Sequence, residues 1–215
     1  MSFEAVMPPY NAGDPTATFL SASCLDFLLI ELVPMAYRVT NELEASASAQ
    51  GTSSSAAAAE KDVSSPAAAA AAPRATMDEE EERDAVFYRL ETLGYRVGQG
   101  LVERFSRDRP RFNDTLDVIK FLCKDLWMLV FRKQIDNLKT NHRGVYVLTD
   151  NAFRPFSRMS TEAGGGAVQR AEPFLWFPCG VVRGALAAMG VNATVQAETS
   201  ELPGAVFQIK TVPTK

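Results

Sequence analysis

Histidine is nearly missing from this sequence: His142 is the one example among 215 residues. Imidazole is the side chain that titrates near neutrality and the commonest metal ligand, so this scarcity removes most routes to acid–base and metal chemistry. His142 lies in the turn-forming stretch Asn141-His142-Arg143-Gly144, with no Cys, Asp or Glu beside it at nucleophile–base spacing. Cysteine is also scarce, at Cys24, Cys123 and Cys179. Their odd number, wide spacing and lack of a C-x-x-C pair argue against a disulfide framework and a structural zinc site. Each sits in an apolar stretch, so three buried, reduced thiols are expected. G-x-S-x-G, the P-loop and H-E-x-x-H are absent. Gly98-Gln99-Gly100 runs on into Leu-Val-Glu and never completes G-x-G-x-x-G, and no Lys-Ser or Lys-Thr follows Gly164 to Gly166. The chain therefore reads as non-enzymatic, with no catalytic residue, cofactor or metal.

Basic charge and long apolar runs are lacking too. The net charge is -4, whereas a nucleic-acid binder needs a basic surface for phosphates. The longest apolar run, Cys24 to Ala36, is interrupted by Asp26, Glu31 and Pro34 and is too short and too charged to span a bilayer. Met1 to Asp14 lacks the basic and apolar regions of a signal peptide. A cytosolic protein is expected. What the chain does have is 47% hydrophobic and 22% charged residues, ordinary values for a globular domain.

The first periodic segment runs from about Thr18 to Thr40, with Leu20, Phe27, Leu28, Leu32, Met35 and Val39 at helical spacing. Its apolar arc is wider than one core-facing stripe requires, so this helix should be buried on two sides, and Pro34 should kink it or end its first half. Residues 1–17 read as a flexible N-terminus. Residues 18–215 read as one domain, interrupted at 41–82 by alanine runs, serines and the acidic block Asp78 to Glu82. Such a stretch has too few large apolar groups to offset its ordering entropy, and a disordered insert is expected there. A second helix spans about Asp84 to Phe105. Gly94 and Gly98, one turn apart on it, mark either a close backbone approach or a weak helix tolerated by its surroundings. Arg104, Arg107, Arg109 and Arg111 form either a solvated loop or a surface for an acidic partner or anionic headgroups. A third helix begins at Asn113 or Asp114, both good caps, and the pattern passes toward a strand over Phe131 to Leu138. Val145 to Leu148 completes a hairpin across the 141–144 turn. A fourth helix from about Pro173 to Met189 ends at Gly190, and strands follow at Val191 to Thr199 and Val206 to Val212. The element order is α-α-α-β-β-α-β-β. Asp26, Glu31 and Asp125 stand out as carboxylates in apolar surroundings, and Glu31 reads as a partner contact or a salt-bridged helix residue.

Several blocks taken together resemble a known family. Gly94-Tyr95-Arg96-Val97-Gly98-Gln99 resembles a signature of the small subunits of the TRAPP vesicle-tethering complex. The stretch from Leu116 to Trp127 is similar to the subunit-six branch, the homologues of the yeast thirty-three-kilodalton subunit. Lys133 to Gly144, Cys179-Gly180 and Arg183 to Leu186 continue the resemblance, which covers most of residues 18–212 outside the 41–82 insert. It implies an α+β fold with helices packed on one face of a twisted four-stranded antiparallel sheet. It also implies a heterodimer with another TRAPP small subunit through the first two helices, onto which larger TRAPP subunits dock. From the over-apolar, glycine-notched helices, the interface residues expected are Leu28, Leu32, Met35, Leu93, Val97 and Leu101, and Leu32→Asp should break the dimer. The family's complex is a guanine-nucleotide exchange factor for Rab GTPases at the ER–Golgi and Golgi. Other subunits supply most of the exchange surface, so this chain would meet the Rab only indirectly and membranes only peripherally. A sister branch carries an acylated cysteine and an apolar tunnel. None of the three cysteines here lies in the second-helix region, so no lipid anchor is expected. The alternative function is a binder of a small apolar ligand, lined by Trp127, Phe131, Phe174 and Trp176 between sheet and helices.

Overall fold

The computed structural model describes residues 20–53, 78–107, 109–141, 143–159 and 166–212. The N-terminus expected to be flexible, the middle of the expected insert at 54–77 and His142 lie outside these residues.

Helix α1 (Ala22–Ser53) is longer than its apolar periodicity. It runs past Thr40 through Asn41 to Ala47, where alanine and glutamate favour helix and Ser46 Oγ donates to the Glu42 carbonyl at 2.8 Å. It also continues through Pro34, which is exposed. Helix α2 (Glu79–Phe105) opens on four glutamates, where carboxylates meet the positive end of the helix dipole. Both ends of the 41–82 stretch are therefore helical. A helical run follows over residues 115–131, made of α3 (Thr115–Phe121), a π turn (Leu122–Leu126) and α4 (Trp127–Phe131). Asp114 caps it by accepting from the Asp117 N–H at 2.7 Å. Arg132, in the left-handed region at φ 63°, ends it. Strand β1 (Asn137–Thr140) thus starts later than the alternation after Phe131 suggests, and the hairpin to β2 (Val145–Asp150) forms across the expected turn. Helix α5 (Ala167–Ala171) and a 3-10 turn (Glu172–Leu175) lead into α6 (Trp176–Ala188), which is followed by β3 (Ala193–Glu198) and β4 (Ala205–Thr211). The sheet order is β1-β2-β4-β3, antiparallel throughout. This is the α+β arrangement expected, a four-stranded antiparallel sheet with helices.

One face of the sheet presents Tyr146, Leu148, Phe207 and Ile209 to the main core. Trp127 packs there against Phe131, Phe153 and Phe207, with ring centroids 4.5, 6.3 and 5.1 Å away. Its Nε1–H donates to Asp150 at 2.8 Å, and Lys133 Nζ bridges Asp150 and Asp136 at 2.6 and 2.7 Å. The fully buried Asp150 carboxylate is therefore paired and hydrogen-bonded, the condition for burying a charge. A second, smaller cluster joins Leu32, Val33 and Ala36 of α1 to Val86 and Leu90 of α2 and to Trp176.

Helices α2 and α6 touch backbone to backbone. A Cβ on Gly94 would lie 2.2 Å from the Phe177 carbonyl oxygen, and one on Gly98 2.1 Å from that of Val181. The approach is reciprocal, because a Cβ on Gly180 would meet Glu91 O at 2.1 Å and one on Gly184 would meet Tyr95 O at 2.0 Å. Four glycines, paired one turn apart on each helix, let the axes come closer than side chains allow. Arg183 closes the rim. Its Nη2 donates to Glu91 at 2.7 Å, its Nε donates to the same carboxylate, and its guanidinium lies 4.5 Å over the Tyr95 ring. The glycine notch is therefore filled by the chain's own α6. That departs from the expectation that the notch belongs to the partner surface.

Ion pairs tie the periphery. Asp26 accepts from Arg154 Nε and Nη2 at 2.8 and 3.1 Å, fastening the start of α1 to the 3-10 turn at Arg154–Phe156. The Arg154 hydrogen bond outweighs desolvation and holds the Asp26 carboxyl below its ordinary 3.8. A folded value below the unfolded one contributes stability above pH 3.8 and loses it as pH falls through the lowered value. The urea midpoint is expected to fall as the pH drops below about 4, with Asp26→Asn flattening part of that fall.

Candidate functional site

Helices α1 and α2 leave a groove of about 490 Å³ between them. Its apolar lining comes from Leu32, Met35, Ala36 and Val39 on α1 and from Tyr88 and Leu93 on α2. Arg89 stands at the rim, where its Nε donates to Thr40 Oγ1 at 3.0 Å while Thr40 donates to the Ala36 carbonyl. The apolar groups exist because α1 carries more of them than α2 and Trp176 can cover. Leu29, Leu32, Val33 and Ala36 face inward, and the rest of the arc stays in solvent.

The six expected interface residues separate into three groups. Met35 on α1 and Leu93 on α2 both line the groove, 40% and 37% exposed; Leu28 (60%) and Val97 (39%), two turns before Met35 and one turn after Leu93, are exposed outside its lining. Leu32, at 6%, is the floor, already covered by α2 and Trp176. Leu101 is half-buried against the main core. Periodicity finds an apolar arc but not its centre, so it does not separate Leu32 from Leu28 and Met35. Outside that set, Phe27 and Ile30 are exposed on other sides of α1, and Tyr88 is exposed on α2. Phe27 and Ile30 were legible only as part of the α1 excess, and no sequence signal marked Tyr88. Apolar side chains left in solvent on two adjacent helices are the kind of surface on which an interaction site can be sought.

The other singled-out residues have structural roles. Asp125 accepts a bidentate pair from Arg109 at 2.8 and 2.6 Å, and that guanidinium lies 5.0 Å over the Phe121 ring. Glu31 pairs with Arg38 on the exposed side of α1. Trp127 and Phe131 belong to the main core, Trp176 to the smaller cluster, and Phe174 is half-buried against both. These four aromatics are thus divided between two packed clusters. Among the described residues no group of His, Cys, Asp and Glu is placed to hold a metal ion, and no helix is long and apolar enough to cross a membrane.

Cys123 and Cys179 are buried as expected, and burial pushes both thiols up to about 12. Cys24 is exposed near the start of α1, contrary to the expectation of a buried thiol, because the apolar arc of α1 is wider than the part its own fold covers. Only thiolates react readily, so a maleimide added to the native chain is expected to label Cys24 and spare the other two until urea is added. Peptide mapping by mass spectrometry reads the result.

The sequence pattern of the family described as "Transport protein particle (TRAPP) component" fits residues 25–212. The trafficking protein particle complex subunit 6b of Danio rerio is 54% identical over 130 residues, covering 60% of this chain and 82% of that protein. Subunit 6B of Homo sapiens is 50% identical over 130 residues, with 60% and 81% covered. Among solved structures, a trafficking protein particle complex subunit 3 from Naegleria fowleri, covalently bound to palmitic acid, superposes with a TM-score of 0.51 at 15% identity, covering 61% of this chain and 82% of that one. That likeness is one of fold.

Proposed function

This chain belongs to the TRAPP component family, and from that premise we propose that it is a non-catalytic scaffold subunit of a TRAPP-like vesicle-tethering complex. It pairs with another TRAPP small subunit over the α1/α2 surface and helps position the larger subunits. The assembled complex acts as a guanine-nucleotide exchange factor for Rab GTPases in ER–Golgi and intra-Golgi traffic. This chain meets the Rab only indirectly, and it sits in the cytoplasm, peripheral to ER and Golgi membranes. The observation that carries the reading is the open groove lined by Met35 of α1 and Leu93 of α2, together with the exposed Leu28 and Val97 on the same two helices. The names of the relatives, subunits of a trafficking particle, support it from a separate direction.

The rival reading, an apolar-ligand binder, draws less support, since Trp127 and Phe131 spend their surfaces on Phe153 and Phe207. Co-expression with a tagged TRAPP small subunit, followed by native mass spectrometry, separates the two. The scaffold reading expects a heterodimer of one copy of each chain with no extra mass. A monomer that ignores every small subunit offered, or one carrying a non-protein mass, would overturn it.

A further inference from the structure

The two edges of the sheet are built differently. β1 is four residues long and carries Lys139; shortness and lysine are devices that keep an edge strand from pairing. β3 is six residues long, Ala-Thr-Val-Gln-Ala-Glu, with neither proline nor lysine. Its register shows which backbone groups are committed. The Val212 N–H donates to the Asn192 carbonyl at 2.8 Å, and Ala193 lies opposite Thr211, so Asn192 and Val212 form a hydrogen-bonded pair. Such pairs alternate along an antiparallel ladder. Thr194, Gln196 and Glu198 therefore bond to β4, while Ala193, Val195 and Ala197 direct their N–H and C=O groups away from the sheet. Among the described residues none is hydrogen-bonded to those outward groups.

Beside this edge runs a groove of about 510 Å³ between β3 and the starts of α2 and α6. Its wall is aromatic: Phe87, 42% exposed, meets Trp176 edge to face at 5.6 Å. Its positive charge is already used, because Arg83 bonds Glu172 at 2.6 Å and lies over the Trp176 ring. The exposed carboxylates of Asp84 and Glu198 also line the groove, and among the described residues no ion pair closes on either. The groove therefore offers unpaired backbone, an apolar shelf and uncompensated negative charge.

We infer that β3 takes an extended, basic segment of another polypeptide as a fifth strand. The segment's backbone bonds to Val195 and Ala197, an apolar side chain rests on Phe87, and flanking lysines or arginines meet Asp84 and Glu198. The residues involved are distinct from those of the α1/α2 groove, so this inference stands or falls apart from the proposed scaffold role.

The test titrates the isotope-labelled full chain with a capped peptide of about nine residues, alternating lysine and valine around a central phenylalanine, and with its glutamate-for-lysine counterpart. Amide exchange is followed by NMR. The lysine peptide is expected to slow exchange at Val195 and Ala197 by at least about tenfold, and the glutamate peptide to leave it unchanged. Val195→Pro removes an outward N–H while leaving the β3–β4 bonds in place, and it is expected to abolish this binding. Asp84→Lys with Glu198→Lys is expected to reverse the preference between peptides, and it decides the matter alone if Val195→Pro does not fold. Four results would overturn the inference: no binding, binding without protection of those amides, equal binding of both peptides, or protection that rises with the chain's own concentration, which would make a second copy the occupant.

Discussion

Gly98→Ala is expected to destabilise the chain by about 3 kcal/mol, although alanine is the better helix former by about 1 kcal/mol. The two effects oppose each other, and distance decides between them. A Cβ at Gly98 would stand 2.1 Å from the Val181 carbonyl oxygen and 2.8 Å from the Ala185 nitrogen, both backbone atoms that cannot swing aside. Helices α2 and α6 would have to separate, opening the seam that Arg183 and Glu91 close. Gly100 is the control. It lies on the same helix with nothing within 4 Å of its would-be Cβ, so Gly100→Ala should raise stability by about 1 kcal/mol. Urea unfolding reads both. The midpoint for Gly98→Ala should drop by about 1–2 M at unchanged slope, and that for Gly100→Ala should rise slightly. If both alanines stabilise alike, the close approach of the two helices is not real.

The second large effect is a loss of assembly without a loss of folding. Met35→Asp together with Leu93→Asp places two carboxylates on the exposed walls of the α1/α2 groove. In the isolated chain both positions are partly open to water, at 40% and 37%, so the double variant should lose no more than about 1–2 kcal/mol of folding stability. In a complex that covers the groove, each charge must be desolvated against apolar surface at a cost of about 2 kcal/mol or more, together weakening the pair roughly a thousandfold. Leu32→Asp should behave in the opposite way. Its side chain is covered by Val86, Leu90 and Trp176, so a buried, unpaired carboxylate should destabilise the chain itself by about 4 kcal/mol. Loss of the dimer in that variant would follow from unfolding. Sedimentation of each variant with and without the partner, beside its urea curve, separates the two cases.

The hairpin was legible because Asn141 to Gly144 is strong turn chemistry between β-forming runs, and the Asn141 side chain accepts from the Arg143 and Val145 N–H groups at 3.0 Å. The excess of apolar residues on α1 was legible too, since it depends only on count and spacing. Its direction was not, because what covers Leu32 arrives from α2 and α6, far along the chain. Gly94 and Gly98 left a close approach and a merely weak helix equally open, since the facing glycines, Gly180 and Gly184, lie on a different helix. Nor does a local pattern mark the π turn at Leu122–Leu126, although the Cys123 carbonyl in it accepts from the Ile135 N–H at 3.1 Å. The extension of α1 to Ser53 went unread because alanine and serine look like linker by composition, while alanine also favours helix.

Oxidation of Met35 reports on the α1/α2 surface most directly, since a thioether reacts as far as peroxide can reach it. Dilute hydrogen peroxide is applied to the chain alone and to the chain co-purified with a TRAPP small subunit, and sulfoxide is quantified by mass spectrometry, with the half-buried Met189 as internal reference. Met35 should oxidise readily in the chain alone and about tenfold more slowly in the pair, while Met189 is unchanged. Equal Met35 rates in the two samples would mean that the groove between α1 and α2 is not where the partner sits.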